Sequence, residues 1–236
     1  MTDSLCPVCI LAGGLGSRLG ERVRDTPKPL IEVAGRPFLA HQLELLRAHG
    51  ARRIVLCVGY LGERIEQEIG ARPLGLDVRY SYDGPELVGT AGAVRRALPL
   101  LGERFLVLYG DTYLRIDYRA VAAVLVTSGL PALMTVLHNR NRLEPSNAVF
   151  DDGLVVRYDK RHATSDMEWI DYGLGAMTAA ALTSSEPESP DLADVYRELA
   201  DKRLLAGYEA TERFYEIGTP GSLAETDAFL RSASRT

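Results

Sequence analysis

The residue types that could do chemistry gather in a few short segments. Leu11-Ala12-Gly13-Gly14-Leu15-Gly16-Ser17-Arg18-Leu19 continues directly from the apolar run Pro7-Val8-Cys9-Ile10-Leu11. Glycines let backbone N–H groups approach a phosphate closely, so this loop is a candidate anion cradle with a cation, Arg18, built in. Thr26-Pro27-Lys28-Pro29 offers a second cation. The two prolines restrict the backbone around it and predict a fixed, non-helical presentation of Lys28, although an exposed turn lysine is the plain alternative. Asp111 follows Gly110 after the apolar run of residues 105–109. That is the carboxyl end of an expected parallel strand, where open α/β sheets bind ligands; a capping role in the next turn is the alternative.

Two standard nucleotide loops fail on spacing. Counted from Gly14, G-x-G-x-x-G meets Leu19 at its last position, and a looser version ending at Gly20 runs into Pro27 and Pro29 before a second strand can form. No G-x-x-x-x-G-K stretch occurs. Cys6-Pro7-Val8-Cys9 spells C-x-x-C without a second pair, and in an extended segment positions three apart face opposite ways. His41, His49, His138 and His162 have no metal-ligand spacing. Asp151 and Asp152 beside Gly153 read as a hairpin turn rather than as metal ligands.

The elements that must position these residues follow from hydrophobic patterning. Residues 7–11, 53–58 and 105–109 are apolar runs that suit buried parallel strands, and residues 76–82 and 132–137 are further strands. Helices are expected at 38–49, 61–69, 91–98 and 117–127, the first presenting Phe38, Leu39, Leu43, Leu46 and His49 on one face. Beyond residue 145 the pattern is less regular. Residues 147–150 and 154–158 form a hairpin, 184–190 a polar loop, 191–202 a helix and 214–217 a short strand, and Pro220 opens a last helix. Strand and helix alternate in the first half, which predicts a doubly wound, mostly parallel mixed sheet of the α/β class with a small hairpin-containing part.

The 236 residues therefore read as one domain, with a regular first half to about residue 115 and an irregular second half over about 116–236. With 46% apolar and 25% charged residues, disorder and collagen-like folds are excluded. A net charge of −5 argues against nucleic acid or an acidic membrane as partner. Three cysteines, no long apolar run and no basic leader predict a cytoplasmic protein. A homodimer is the commonest assembly for such a chain. Of the 27 basic residues only Lys28, Lys160 and Lys202 are lysines, so these three positions stand out from an arginine-rich chain.

Gly13-Gly14-x-Gly16-x-Arg18-Leu19 followed by Pro27-Lys28-Pro29 resembles the signature of the sugar-1-phosphate nucleotidyltransferases. Gly89-Thr90-Ala91-Gly92-Ala93, Gly110-Asp111, Asp159-Lys160, Asp171-Tyr172-Gly173 and Glu216-Ile217-Gly218-Thr219-Pro220 follow in order, so the resemblance covers nearly the whole chain. It implies a Rossmann-like, GT-A-like fold, with about residues 1–115 as the nucleotide-binding half and about 116–236 as the sugar-phosphate-binding and C-terminal part. It also implies a reaction in which a sugar 1-phosphate attacks the α-phosphorus of a nucleoside triphosphate and pyrophosphate leaves. Like charges at 4 Å repel by about 1 kcal/mol in water and several times more in a drier site, so such a site must supply cations. By resemblance, Arg18 and Lys28 are the catalytic cations. Leu11, Ala12, Gly13, Gly14, Gly16, Ser17, Gly89, Thr90, Ala91 and Gly110 join Arg18 in holding the nucleotide. Asn147, Lys160, Asp171, Tyr172 and Gly173 hold the sugar phosphate.

Asp111 and Glu216 are the implied ligands of Mg²⁺, which usually takes one or two carboxylates with phosphate oxygens and water. Relatives usually carry aspartate at the second position, so Glu216 reaches one methylene further. The compact form, with Gly35-Arg36-Pro37-Phe38-Leu39 and Trp169-Ile170-Asp171-Tyr172-Gly173, is most similar to the D-glycero-D-manno-heptose 1-phosphate guanylyltransferase group and implies GTP with a heptose 1-phosphate. UTP with N-acetylmuramate 1-phosphate and dTTP with glucose 1-phosphate stay open. No hexapeptide-repeat segment follows, which speaks against an attached acetyltransferase. Two other classes share the scaffold: glycosyltransferases that consume nucleotide sugars, and non-catalytic nucleotide sensors. The first usually carry Asp-x-Asp at the metal site, whereas Asp111-Thr112-Tyr113 lacks the second aspartate.

Overall fold

A computed structural model describes residues 5–14, 19, 26–72, 74–84, 88–183 and 191–233. In chain order the strands of the first half are β1 (Val8–Leu11), β2 (Glu32–Val33), β3 (Arg36–Pro37), β4 (Arg53–Val58), β5 (Asp77–Tyr82), β6 (Arg104–Tyr109) and β7 (Thr112–Tyr113). Its helices are α1 (Phe38–Ala48), α2 (Gly62–Gly70), α3 (Gly89–Leu101) and α4 (Tyr118–Ser128). The second half adds β8 (Ala132–His138), β9 (Ala148–Asp151), β10 (Leu154–Tyr158), β11 (Trp169–Thr178), β12 (Leu205–Ala210) and β13 (Tyr215–Glu216). Helices α5 (Ala179–Thr183), α6 (Leu192–Asp201) and α7 (Pro220–Ala233) complete it.

Nine strands form one sheet in the order β5-β4-β1-β6-β11-β8-β12-β10-β9. The first four are parallel, joined by helical crossovers as the alternation predicts. Among the described residues, parallel pairing otherwise occurs only between β12 and β8. The long strand β11 runs antiparallel between β6 and β8 and joins the two halves. Strands β1, β4 and β6 are apolar on both faces because both faces are covered. Val8 and Ile10 enter a core with Leu39 and Leu43 of α1, Ile65 of α2 and Val121 of α4. Cys9 points the other way, into a core with Val94 of α3 and Val195 of α6. Cys6 packs against the first core, so the two cysteines of C-x-x-C do face opposite sides.

A third, small core of Leu19, Ile31, Val33, Phe38, Ile217, Leu223 and Leu230 lies under α7. It ties the Lys28 segment to the Glu216 segment, two regions almost 190 positions apart in sequence. The hairpin turn is as expected: Asp152 (φ 44) and Gly153 (φ 79) are both left-handed, as a two-residue turn with Gly second requires. Strands β11 and β12 were not expected from patterning. The first contains Gly173 and Gly175 and a break in register between Asp171 and Gly175, and the second is Leu-Ala-Gly-Tyr-Glu-Ala, a poor strand by composition. Packing decides both: a Cβ on Gly207 would run into the Phe150 ring, so the sheet closes there only because no side chain is present. The polar loop expected at 184–190 lies outside the described residues. No described helix is long and apolar enough to cross a membrane.

Candidate functional site

The carboxyl ends of β5, β4, β1 and β6 open into a cavity of about 320 Å³. Leu11, Ala12, Gly13 and Gly14 line it from the end of β1, Gly89 and Thr90 from the start of α3, and Tyr109, Gly110 and Asp111 from the end of β6. Lys28, Pro29 and Gly218 close one side; Cys57, Asp83 and Ala93 contribute from the strands and helix beyond. Thus Leu11, Ala12, Gly13, Gly14, Gly89, Thr90 and Gly110, all expected on the nucleotide, meet in one place. Ala91 is fully buried in the core beneath the cavity. Gly16, Ser17 and Arg18 lie outside the described residues.

Backbone proximity explains the glycine at position 110. A Cβ there would stand 2.5 Å from the carbonyl oxygen of Leu11, so the β1 and β6 turns come this close only with glycine. Thr90 is held as well: its hydroxyl donates to Asp191 (3.1 Å) and accepts from the N–H of Leu192 (2.8 Å), which fixes the start of α3 against the start of α6.

Lys28 lies in a single 3₁₀ turn, Lys28–Leu30, entered from an extended Pro27. The expectation of a non-helical segment is corrected here. A proline in the first turn loses no helical hydrogen bond, so Pro29 tolerates the turn, and the presentation is fixed as expected. The Lys28 ammonium stands 2.5 Å from Oδ2 of Asp111. Asp111 is aimed by Gln42 of α1, whose side-chain N–H groups donate to the carbonyls of Tyr109 (3.0 Å) and Thr112 (2.6 Å). Asp111 lines the cavity and is the N-cap of no described helix. Gln42 was missed; with His41 it is one of two polar residues among the seven that α1 buries, and that is the signal for it.

Glu216 comes from the other end of the chain. Strand β13 pairs antiparallel with β7, so Glu216 stands opposite Thr112, and the N–H of Ile217 donates to the carbonyl of Asp111 (3.0 Å). Burial raises the Glu216 carboxyl above its ordinary value, a hydrogen bond from Ser222 opposes this, and Asp111 and Glu144 raise it further. Two carboxylates and one ammonium thus share a partly buried corner. Among the described residues no group of three or more His, Cys, Asp or Glu forms a metal site, so a divalent cation here would rely on these two carboxylates and on oxygens from elsewhere.

Lys160 lies beside this cavity. Its ammonium is 3.2 Å from Oδ2 of Asp171 and 5.1 Å from the centre of the Tyr109 ring, which also lines the cavity. Burial works against the charge, but Asp171 and then Tyr109 outweigh it and keep Lys160 protonated. Asp171 accepts from the Tyr158 hydroxyl (3.1 Å) and from the N–H of Gly173 (2.9 Å), while its own N–H donates to Oδ1 of Asn147 (2.9 Å). Lys160, Asp171, Gly173 and Asn147 are therefore one hydrogen-bonded cluster. Tyr172 is not in it. As its neighbour on the strand it faces the opposite side, where it is 1% exposed and packs edge-on to Phe214. Its assignment to the sugar is corrected to a core position. Cys9 and Cys57, 3.4 Å apart at sulfur, are free buried thiols.

A family model described as the MobA-like NTP transferase domain matches residues 8–184. Mannose-1-phosphate guanylyltransferase catalytic subunit beta of Drosophila melanogaster is 28% identical over 218 residues, which is 89% of this chain and 59% of that protein. This chain therefore spans well under two thirds of that relative. N-acetylmuramate alpha-1-phosphate uridylyltransferase of Neisseria meningitidis is 31% identical over 93% of this chain and 96% of its own. D-glycero-alpha-D-manno-heptose 1-phosphate guanylyltransferase of Campylobacter jejuni is 37% identical over 46% of this chain and 48% of its own. Among solved structures, HddC from Yersinia pseudotuberculosis complexed with GMP-PN shares the fold, with a TM-score of 0.77 at 23% identity over 96% of this chain and all of that one.

Proposed function

The chain belongs to the family of MobA-like NTP transferase domains, and on that premise we propose that it is a sugar-1-phosphate nucleotidyltransferase joining GTP to a heptose 1-phosphate. The observation that carries the reading is the corner of Lys28, Asp111 and Glu216, at one end of a cavity walled by glycine backbone and next to the Lys160 cluster. Two phosphorylated substrates that repel one another need cations, and this chain offers Lys28 in the cavity lining and Lys160 beside the Tyr109 ring that also lines it.

In the proposed reaction an oxygen of the sugar phosphate attacks the α-phosphorus. The new P–O bond forms as the bond to the bridging oxygen breaks, and the electron pair leaves with pyrophosphate. Chemistry of this kind depends on positioning and charge, and it needs no covalent nucleophile on the protein. Arg18 holds the triphosphate, Lys28 meets phosphate at the reacting centre and Lys160 holds the sugar phosphate, with Asn147, Asp171 and Gly173 toward the sugar hydroxyls. The backbone of Leu11 to Gly14, with Gly16, Ser17, Gly89, Thr90 and Gly110, frames the nucleotide.

The donor set of Asp111 and Glu216 suits magnesium. Both are hard oxygen donors, and the Glu216 carboxyl, raised first by burial and then by the neighbouring Asp111, is one whose ionised form a cation would favour. The ion would neutralise charge on the phosphate oxygens that complete its coordination.

Guanylyl transfer and a heptose are supported by the Campylobacter relative and by the compact motif set. The Neisseria relative, matched along nearly its whole length, favours a second pair, UTP with N-acetylmuramate 1-phosphate. The cytoplasm is the proposed compartment. The test is pyrophosphate release over a matrix of nucleoside triphosphates and sugar 1-phosphates with Mg²⁺, with products identified by mass. Release with GTP and heptose 1-phosphate is expected. A glycosyltransferase would act only on a nucleotide sugar, a sensor would bind without turnover, and silence with every pair would sink the reading.

A further inference from the structure

Tyr109 carries no charge and has no part in the phosphate chemistry, yet it stands where the two halves of the chain meet. It ends β6 and lines the cavity beside Gly110 and Asp111. Lys160 follows β10, and three strands separate β10 from β6 in the sheet. The β9–β10 hairpin bends back onto β11, where Ala148 pairs with Trp169, and the Lys160 ammonium comes to lie over the Tyr109 ring.

The ammonium has a carboxylate and two rings for neighbours. Oδ2 of Asp171 is 3.2 Å away, the centre of the Tyr109 ring 5.1 Å and that of the Tyr158 ring 6.0 Å. Asp171 has other donors besides the lysine, the Tyr158 hydroxyl on Oδ2 and the N–H of Gly173 on Oδ1. These neighbours act differently on the charge. A carboxylate holds an ammonium by cancelling its charge, so a lysine kept in place by Asp171 alone would offer little to a phosphate. An aromatic face attracts a cation through its quadrupole and carries no net charge. It restrains a flexible four-carbon stem while leaving the positive charge for an anion. The Lys160 side chain is 40% exposed, so an anion can reach it.

We propose that Tyr109 is a positioning residue: its ring face holds the Lys160 ammonium at the edge of the cavity, where the phosphate of the second substrate meets it. This rests on the nucleotidyltransferase reading of the cavity and adds to it a neutral side chain that sets where the second cation stands. The role belongs to the ring face and not to the hydroxyl. In Tyr109→Leu an apolar side chain still fills the place, but the ammonium loses its uncharged hold and turns to Asp171, which competes with the incoming phosphate.

Ring electronics separate this role from packing. Tyr109→Phe keeps the face, and mono-, di- and trifluorinated phenylalanine at the same position withdraw electron density from it at nearly constant shape. The KM for the sugar 1-phosphate that turns over should stay within about threefold in Tyr109→Phe. It should rise about twofold with each fluorine and roughly 10-fold in Tyr109→Leu, while the nucleotide KM holds steady along the fluorinated series. A residue that only packs would move neither KM along that series. A second measurement needs no turnover. Three lysines in the chain give three signals from the methylene next to the ammonium when lysine is labelled with carbon-13. The signal lost in Lys160→Arg should lie upfield of the other two, because it sits over a ring. That shift should persist in Tyr109→Phe and shrink in Tyr109→Leu. If Tyr109→Leu leaves the shift in place, or if the protein turns over with a sugar-phosphate KM that ignores ring fluorination, the role of Tyr109 is refuted while the enzyme reading stands. If no pair of substrates turns over yet the Lys160 signal follows the ring at position 109, the reaction is refuted and the hold of Tyr109 on Lys160 stands.

Discussion

Lys28 and Asp111 lie 2.5 Å apart although 83 positions separate them in the chain. Removing the lysine tests its chemistry directly. Lys28→Ala should lower kcat roughly 10²–10³-fold, because charge stabilisation at the reacting phosphate is lost. The melting curve should stay cooperative, since the Asp111 side chain is 28% exposed and water can replace the ammonium. Near-normal kinetics would remove Lys28 from the mechanism. Glu216 makes a second, opposite case. Its carboxyl titrates above the ordinary 4.5, mainly because burial penalises the charge. A raised acid favours folding while it is protonated, and that contribution is lost as pH rises through the folded value. Ionised Glu216 therefore weakens the fold at neutral pH. Glu216→Gln should raise the melting temperature at pH 7, with the gain fading toward pH 4, and should increase the Mg²⁺ concentration needed for half-maximal rate. An unchanged Mg²⁺ dependence would end its assignment as a metal ligand.

At the scale of elements, the site is an assembly of strand ends held at contact distance. Gly110 lets the turn after β6 lie on the carbonyl of Leu11 at the end of β1. In Gly110→Ala one of these turns must move, which should cost about 1–3 kcal/mol of stability and displace Asp111. The measurements are denaturant midpoint and kcat, and a variant unaffected in both would refute the tight approach. Helix α4 illustrates a feature remote from the site. Asp117 caps it by accepting from the N–H groups of Arg119 (2.9 Å) and Ala120 (3.0 Å). Asp117→Ala should cost about 1 kcal/mol and leave kcat unchanged. Patterning made most of these elements legible, because β1, β4 and β6 are continuous apolar runs and α1 carries a regular stripe. It did not reveal β11, whose glycines and register break at Gly173 look like a loop until β6 and β8 are seen on either side. A sequence window does not contain those partners.

For the molecule as a whole, two halves of the chain close one cavity. The segment after Lys28 and the segment after Glu216 share the small core under α7, so nucleotide and metal should stabilise the entire fold and not one half. GTP with Mg²⁺ at about 100 times its dissociation constant should add about 2.7 kcal/mol, which corresponds to roughly 5–10 °C in melting temperature for a chain of this size. A shift confined to a separate transition would contradict the single closed unit. The order and spacing of Gly13-Gly14, Pro27-Lys28-Pro29, Gly110-Asp111 and Glu216 were enough, by sequence alone, to point to the family and to most of the residues that line the cavity. Short motifs report local backbone needs, such as glycine where backbones touch or a lysine held between prolines, and these are encoded where they occur. What only the tertiary structure decided is which side chains share a space. Tyr172 was drawn toward the sugar by its motif, but strand alternation turns it into the core. Gln42 carries no motif and reaches the turn of Asp111 only because α1 packs where its amide meets the carbonyls of Tyr109 and Thr112. Contact between distant segments depends on packing across the sheet, and that information lies in no single stretch of the chain.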